Sequence, residues 1–307
     1  MAHALVRAAP RLVSTFFLLA VLAPAQAADS NWITEYGGHS ERDSAGDVVA
    51  VNLRGSWIAD SDVRELARLP KLERLDLSYT RITDQGILYL EAARNLVEVN
   101  LQFDERVGDE GQAAIKQWTR LKRLNVRGTR IADNTVAAAA SLPELEALDI
   151  SYTDALDFGL DALATAPKLK ELSIGGLRIT EVAFQSIRQI ASLEVLDLGG
   201  GKFTGGGQRS GLTLDDTVLQ AIASLKALRE LELGYAKFPS RGLAILKTLP
   251  NLERLNLENC ARIDDDAMPH LASWKSLRWV DLNGTKVTKE AVAKLRQQRP
   301  DCQVLWE

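Results

Sequence analysis

The sequence predicts an α/β solenoid with one parallel sheet, and three observations lead to this class. A phrase of three aliphatic residues, a polar turn, a hydrophobe and an acid recurs, for example LERLDLSYTRITDQGILYL from Leu72 and LRWVDLNGTKVTKEAV from Leu277. The spacing of the phrase is nearly constant, which is typical of stacked repeats. Each phrase also changes from a strand pattern to a helix pattern.

The units have a fixed length. Ten units begin at Val48, Leu72, Leu96, Leu121, Leu145, Leu169, Leu193, Leu228, Leu252 and Leu277, spaced by 24 or 25 residues with one interval of 35. A partial eleventh unit reads CQVLW, and we expect Cys302 and Leu305 to be in register with Leu277 and Val280. Repetition over this length favours one elongated domain rather than several compact ones.

Each unit is predicted to contain a strand, a turn and a short helix. In LxxLxL the last two aliphatic residues, such as Leu75 and Leu77, alternate as in a strand with one buried face. Only parallel stacking lets every strand repeat in the same phase, and the aliphatic columns then form one continuous core. After the turn, acids such as Asp84 are expected to cap the helix of their own unit.

The units resemble leucine-rich repeats, and the pattern TxITDxGhxxL after LxxLxL is similar to the cysteine-containing type of F-box receptors and bacterial GALA proteins. The resemblance covers most of the chain beyond Val48. It implies a right-handed horseshoe with strands on the concave face, helices on the convex face, and protein binding as the activity. Residues 28–47 are too few for the F-box module, so the resemblance is to an exported bacterial member without one.

The N-terminus has the pattern of a signal peptide. Arg7 and Arg11 precede an apolar run from Leu12 to Leu22, and Ala25-Gln26-Ala27 is a small-residue cleavage site. A membrane anchor is the alternative, but the run is shorter than the roughly 20 residues that span a bilayer. The predicted organisation is a signal peptide at 1–27, an N-terminal flank at 28–47, ten repeats at 48–298 and a capping strand at 299–307. The mature protein is expected to be periplasmic or secreted, without a membrane segment.

Charge and cysteine content give two further expectations. The chain has 37 basic and 41 acidic residues, a net charge of −4. Removing Arg7 and Arg11 makes it more acidic, which disfavours a nucleic-acid partner. Cys260 and Cys302 lie two units apart, whereas strands are spaced by about 4.8 Å and a disulfide needs Cα atoms within about 7 Å. Two free, buried thiols are therefore predicted.

Two columns of side chains should face the concave side. The first is polar throughout: Asn52, Asp76, Asn100, Asn125, Asp149, Ser173, Asp197, Glu232, Asn256 and Asp281. This polar column is either a preference of the repeat for small polar residues or a hydrogen-bonding floor for a partner. The second column is Ala50, Arg74, Glu98, Arg123, Ala147, Glu171, Val195, Glu230, Arg254 and Trp279. On this face Arg54, Arg74, Arg123 and Arg127 collect early, and Glu171, Asp197, Glu230, Glu232, Glu258 and Asp281 collect late. This polarity is either simple solvation or a means of orienting a charged partner.

Aromatic residues complete the predicted binding surface, because exposed aromatics are common in interfaces. Tyr79, Phe103, Tyr152 and Tyr235 follow their strands along one rim, while Trp279 and Trp306 are expected as concave neighbours. Trp306 can alternatively cover the open end of the solenoid. The candidate partner-binding residues are Arg74, Tyr79, Phe103, Arg123, Arg127, Tyr152, Tyr235 and Trp279.

The sequence gives little support for a catalytic site or a metal site. The glycine-rich segment 199–211 lacks the GxxxxGK[ST] order, because Lys202 is followed by Phe203, and is predicted to be a flexible surface loop. His39 and His270 are far apart, and HExxH, CxxC and GxSxG are missing from the sequence. The acids Asp264 to Asp266 are assigned to a helix start rather than a cation site.

The sequence thus predicts a non-enzymatic module, without cofactor or metal, that binds a protein partner through its concave face. A secreted effector acting on a host protein and an enzyme with a site on the rim loop are the alternatives.

Overall fold

The computed structural model describes residues 31–202, 208–209 and 211–307. The predicted signal peptide at 1–27 lies outside them. The strands are β1 His39–Arg42, β2 Val48–Asn52, β3 Arg74–Asp76, β4 Glu98–Asn100, β5 Arg123–Asn125, β6 Ala147–Asp149, β7 Glu171–Ser173, β8 Val195–Asp197, β9 Gly201–Lys202, β10 Gln208–Arg209, β11 Glu230–Glu232, β12 Arg254–Asn256, β13 Trp279–Asp281 and β14 Gln303–Leu305.

Helices alternate with the strands of the main sheet. They are α1 Asn31–Glu35, α2 Asp60–Leu66, α3 Asp84–Tyr89, α4 Gln112–Ile115, α5 Asp133–Ala140, α6 Asp157–Leu163, α7 Glu181–Ile187, α8 Asp216–Ala223, α9 Leu243–Leu246, α10 Met268–Ser273 and α11 Lys289–Gln298. Short 3₁₀ turns cover Leu90–Ala92, Asp109–Gly111, Ser240–Gly242 and Asp265–Ala267. Within the described ranges, no helix has both the length and the apolarity to cross a bilayer.

The main sheet runs in chain order and confirms the predicted α/β solenoid. In the described residues it contains twelve strands, from β1 through β8 and then β11 to β14. Every pair from β2 onward is parallel, with registers such as Ala50 to Arg74 and Asn52 to Asp76. The same register continues to Trp279 and Asp281 in β13, so the two predicted columns are confirmed.

The core is a spine of stacked aliphatic side chains. Leu72, Leu75 and Leu77 of the second unit are buried, and the equivalent residues of the other units extend one cluster along the molecule. Backbone bonds join the units beyond the strands, as where the Leu77 N–H donates to the Asn100 carbonyl at 2.9 Å. A three-residue strand has too few bonds to be stable alone, so each unit depends on its neighbours.

The N-terminal flank closes one end of the sheet. Helix α1 buries Ile33, and β1 pairs antiparallel with β2, with His39 opposite Asn52. The flank lies outside the repeat, so its strand was not predicted. It covers the edge that the first unit would otherwise leave open.

The C-terminal register was predicted one residue out of place. In the structure Val304 pairs with Val280 and Leu305 with Asp281, so the expected pairing of Leu305 with Val280 is wrong. Trp306 consequently follows the phase of the core-facing Leu282 and packs against the hydrophobic core. It is therefore not a concave neighbour of Trp279, and its contact with the core fits the alternative role of covering the open end.

Most helix-start acids cap the next unit rather than their own. The N-cap residues Asp215 and Asp264 instead accept an N–H of their own unit. Asp109 accepts the backbone N–H groups of Ala132, Asn134 and Thr135 at 2.7, 3.2 and 3.2 Å. The pattern repeats where Asp60 accepts both the N–H and the hydroxyl of Thr83. The predicted capping within one unit was therefore wrong for acids at the first helical position, such as Asp60, Asp109 and Asp133, because their carboxylates accept from the start of the following helix.

A buried column follows the turn of each unit. Thr129 and Thr153 donate their hydroxyls to carbonyls of their own units at 2.7 Å, and Cys260 donates its thiol to the Leu233 carbonyl. The prediction of two free, buried thiols is confirmed for Cys260 and Cys302. Burial raises the pKa of Cys260 to about 12, so this thiol is a small structural donor.

Asp104 occupies the same column in the third unit. It is fully buried and accepts the Thr80 N–H at 2.7 Å and the Thr80 hydroxyl at 3.0 Å on Oδ1, whereas Oδ2 has no partner. Burial raises its pKa from 3.8 to about 8, outweighing the two hydrogen bonds, which lower it. A neutral carboxyl in this position avoids the cost of a buried charge.

The glycine-rich segment belongs to the seventh unit. Its described parts form the antiparallel pair β9 and β10, with Gln208 opposite Lys202. Residues 203–207 and 210 of the predicted surface loop lie outside the described residues. Because the segment follows β8, the main sheet continues from β8 to β11 without a break.

Replacing Asp109 with Ala should lower the free energy of unfolding by about 1–2 kcal/mol, because three helix N–H groups of the next unit lose their acceptor. Urea unfolding followed by circular dichroism measures the difference. The neighbouring Glu110→Ala, at an exposed side chain, is the control. Equal effects of the two substitutions would contradict capping between units.

Replacing Asp104 with Asn should change stability in a pH-dependent way. The folded chain holds the Asp104 proton more tightly than the unfolded chain, so this group lowers stability as the pH rises from about 4 to about 8. The free energy of unfolding of the Asn variant, relative to that of the parent, should therefore increase across this window by at most about 1.4 kcal/mol per pH unit. Urea titrations at pH 4.5, 6 and 8 test this, and a constant difference would refute it.

Candidate functional site

The first concave column is mainly a set of turn-forming side chains. Oδ1 of Asn52, Asp76 and Asn100 accepts the backbone N–H two residues later, at 2.9 to 3.1 Å. The same bond recurs at Asn125, Asp149, Asp197, Asn256 and Asp281. These bonds hold the chain in the turn after the strand. Their recurrence favours the interpretation of this column as a structural preference of the repeat.

A groove of about 520 Å³ crosses the concave face from β1 to β7. Its floor includes Ala50 and Ala147, two small residues in a column whose other members, apart from Val195, carry long side chains. Its walls include His39, Glu41, Arg74, Glu98, Arg123 and Glu171. Parallel pairing positions these walls, because residues of one column lie side by side on adjacent strands.

The groove arginines are paired with acids. Arg74 Nη2 lies 2.6 Å from Glu41 Oε2 in the flank strand β1. Arg123 donates two hydrogen bonds to Glu171, at 3.2 and 2.6 Å, and thereby spans the unit that contains Ala147. The hydrogen bond to Glu171 raises the pKa of Arg123. All four side chains are about half exposed, so the pairs stay open to exchange with a partner.

The predicted charge polarity is therefore partly neutralised in the first half of the solenoid. In the second half, the acids Asp197 and Glu232 lie side by side on the adjacent strands β8 and β11. Burial raises the pKa of Asp197 and of Glu232. Glu230 and Arg254 approach each other at 3.7 Å. Acid thus predominates at this end of the face.

The predicted aromatic rim has a backbone role. Tyr79, Phe103, Tyr152 and Tyr235 all adopt a left-handed conformation with φ between 59° and 65°. Neighbouring units place glycine at this point, including Gly128 and Gly176. A Cβ on Gly128 would lie 2.4 Å from the Phe103 ring, and one on Gly176 would lie 2.6 Å from the Tyr152 ring. The rings therefore lie over the following glycines.

Exposure along this rim differs from the prediction. Tyr79 is 43% exposed, but Tyr152 is only 7% exposed, so its assignment as an exposed contact residue was wrong. The cause is its position between Gly176 and the guanidinium of Arg127, which lies 4.7 Å from the ring centre. Phe103 and Tyr235 are half-buried, and the Phe103 ring lies 5.1 Å from that of Tyr79.

The structure brings the predicted residues together in three groups. Arg74 and Arg123 line the groove. Tyr79 and Phe103 form an aromatic pair, with Arg54 stacked 4.4 Å from Tyr79. Arg127 stacks on Tyr152. Trp279 lies apart on β13 under Arg254, at 4.3 Å, and Tyr235 follows β11.

His39 and Glu41 were missed as groove residues. They belong to the flank, which has no repeat phase to place them, and a strand pattern in HSER is too short to detect. His270 lies on α10, in a different element. In the part of the chain that the structure describes, no three His, Cys, Asp or Glu side chains are grouped to hold a metal ion.

Comparison with protein-family models finds one match in this chain. The model is described as "Leucine Rich repeat", and it matches residues 68–90. No curated protein sequence matches the chain.

Three solved structures are similar in fold. The ectodomain of the Arabidopsis receptor kinase HAESA, in complex with an IDA peptide hormone ligand, superposes with a TM-score of 0.55 at 16% identity, covering 81% of this chain and 40% of HAESA. The Leptospira interrogans leucine-rich-repeat protein LIC12759 gives 0.51 at 22%, covering 78% and 62%. An internalin, InlF, from Listeria monocytogenes gives 0.50 at 17%, covering 86% and 91%.

The chain thus spans about two fifths of the plant ectodomain, and the identities support a likeness of fold alone. Together with the repeat matched at residues 68–90, they establish that the chain carries a leucine-rich repeat and has the horseshoe fold of leucine-rich-repeat proteins.

Proposed function

We propose that this protein is a non-enzymatic binding module that recognises a protein partner through the concave groove between β1 and β7. The observation that carries the proposal is the groove itself, about 520 Å³ in volume and walled by half-exposed ion pairs. An extended surface of this kind suits a polypeptide better than a small molecule, which needs a deeper and more apolar pocket.

The ion pairs provide a means of recognition. Arg74 and Glu41, and likewise Arg123 and Glu171, can exchange their mutual bonds for bonds to charged groups of a partner. Complementary charge of this kind contributes specificity and association rate. The small floor residue Ala147 gives a partner side chain room between the pairs. Tyr79 and Phe103, on the adjoining rim, supply an aromatic contact.

Two likenesses support a protein as the partner. The cysteine-containing repeat type, which includes the GALA proteins, implies protein binding. The HAESA ectodomain has a related fold and carries a peptide ligand. We also propose that the chain is exported to the periplasm or the exterior after loss of residues 1–27, on the basis of its N-terminal sequence pattern.

Neutralising the two groove arginines Arg74 and Arg123 should weaken partner capture. The chain from residue 28 onward is immobilised and exposed to proteins of the producing organism, and bound proteins are quantified by mass spectrometry. For Arg74→Gln with Arg123→Gln, we expect at least a tenfold loss of the specific partner, because Glu41 and Glu171 are left unbalanced in the groove.

The matched control is Arg94→Gln with Lys116→Gln, which removes the same charge from two exposed side chains outside the groove lining. Thermal unfolding of both variants checks that they fold, since exposed ion pairs contribute about 1 kcal/mol or less. If the groove variant retains the partner, or the control loses it equally, the concave assignment is wrong.

If the chain is exported as proposed, residues 1–27 should be missing from the mature protein. Intact mass measurement of the protein recovered from the periplasm or the medium should show a chain that begins at Ala28. A chain that keeps residues 1–27 would contradict the proposed cleavage, whereas cell fractionation would distinguish periplasmic from secreted protein.

A further inference from the structure

A second surface differs from the rest of the solenoid at the N-terminal ends of α6 and α7. The second residue of each unit's helix or 3₁₀ turn is exposed, and it is polar in eight units, from Ser61 in the first to Glu290 in the tenth. In the fifth and sixth units it is Phe158 and Val182, which are 74% and 53% exposed. The fold does not require this change, since eight units form the same element with a polar residue.

The apolar side chains occupy neighbouring units. Leu156, 45% exposed, precedes α6 directly and is two residues before Phe158. Helices α6 and α7 are joined where the Ser186 hydroxyl donates to Asp161 and where Asp157 accepts from Thr180. Leu156, Phe158 and Val182, here named the apolar triad, therefore lie along one rim. None of the three belongs to the hydrophobic core.

A cleft of about 980 Å³ lies next to the triad, between the sixth and seventh units. Its lining includes Leu177, Ile179, Leu212 and Val218, together with Thr180 and Glu181, which directly precede Val182. At this step Glu181 takes the position of the capping Asp, and among the described residues it makes no bond to the seventh unit. The cleft thus gives a partner's apolar side chain a place beside the triad.

We infer that the apolar triad is a docking surface for an amphipathic polypeptide segment whose apolar side chains are flanked by Lys or Arg. The charge of the two helices selects this partner. Together α6 and α7 contain Asp157, Asp161 and Glu181 and no basic residue. These carboxylates lie on the same two helices as Phe158 and Val182 and would attract basic flanks. The cleft adds the acids Asp154 and Asp215 and one base, Arg178, which lies 3.5 Å from Asp154, so acid predominates.

The same charge argues against two other occupants. A second copy of the chain meeting this rim symmetrically would oppose carboxylates to carboxylates. An anionic membrane surface would be repelled in the same way. The surface is separate from the concave groove, because none of the triad residues lines it. This inference therefore does not depend on the proposed function.

Photocross-linking tests the inference directly. The full chain carrying p-benzoylphenylalanine in place of Phe158 is expressed in the producing cells and irradiated, and the adducts are mapped by mass spectrometry. The same probe replaces Trp57 in one control, since Trp57 is 75% exposed elsewhere, and Asn134 in another, since it holds the equivalent position one unit earlier. We expect adducts at 158 at least fivefold above both controls, mapping to a segment with apolar residues and adjacent Lys or Arg.

A second variant asks whether the triad acts as a unit. Val182→Gln, which installs the residue of the second unit at an exposed position, should lower the adduct yield at 158 at least fivefold without changing thermal stability. Adducts equal to those at 57 and 134, a mapped segment that is acidic or polar, a cross-linked dimer of this chain, a lipid adduct, or an unchanged yield in the Val182→Gln variant would each overturn the inference.

Discussion

The stacking of short units in constant phase is the constraint on which the rest of the structure depends. A strand of three residues, such as β3, cannot persist alone, and the leucines of its unit are buried only because the next unit presents aliphatic residues at the same level. Unit lengths of 24 or 25 residues keep this phase. The longer seventh unit is tolerated because its extra residues follow β8, so β8 still pairs with β7 and β11.

Phase also explains how much of the fold the sequence predicts. From β2 to β13 the leucine columns force the register, and the side chains beside them, such as Arg74 and Arg123, are assigned to the concave face correctly. At β14 the leucine phrase ends, and CQVLW fits two registers that differ by one residue. The structure selects the one in which Val304 meets Val280, and Trp306 consequently turns toward the core.

Contacts between units are the part that the sequence does not reveal. An acid before a helix predicts capping of that helix, yet Asp60 and Asp109 cap the following one, and the two arrangements have the same pattern. The exposure of the aromatic residues is equally hard to predict. Tyr152 is buried because its ring lies between Gly176 and Arg127, which belong to the two neighbouring units. In the groove, Glu41 pairs with Arg74 from a flank that has no repeat phase.

In a protein built this way, residues that recur at one position are explained by the fold, so candidate contact residues are those that depart from the column. Asp and Asn at the strand ends recur and form turns. Ala147 is a small residue between the long side chains of Arg123 and Glu171, and Arg123 reaches across it to Glu171. Phe158 and Val182 depart from a polar column and expose apolar surface to solvent. Because an exposed apolar group gains free energy when it is covered, and because a gap in a column of long side chains leaves room for another group, these departures are the positions on which the two proposed docking surfaces rest.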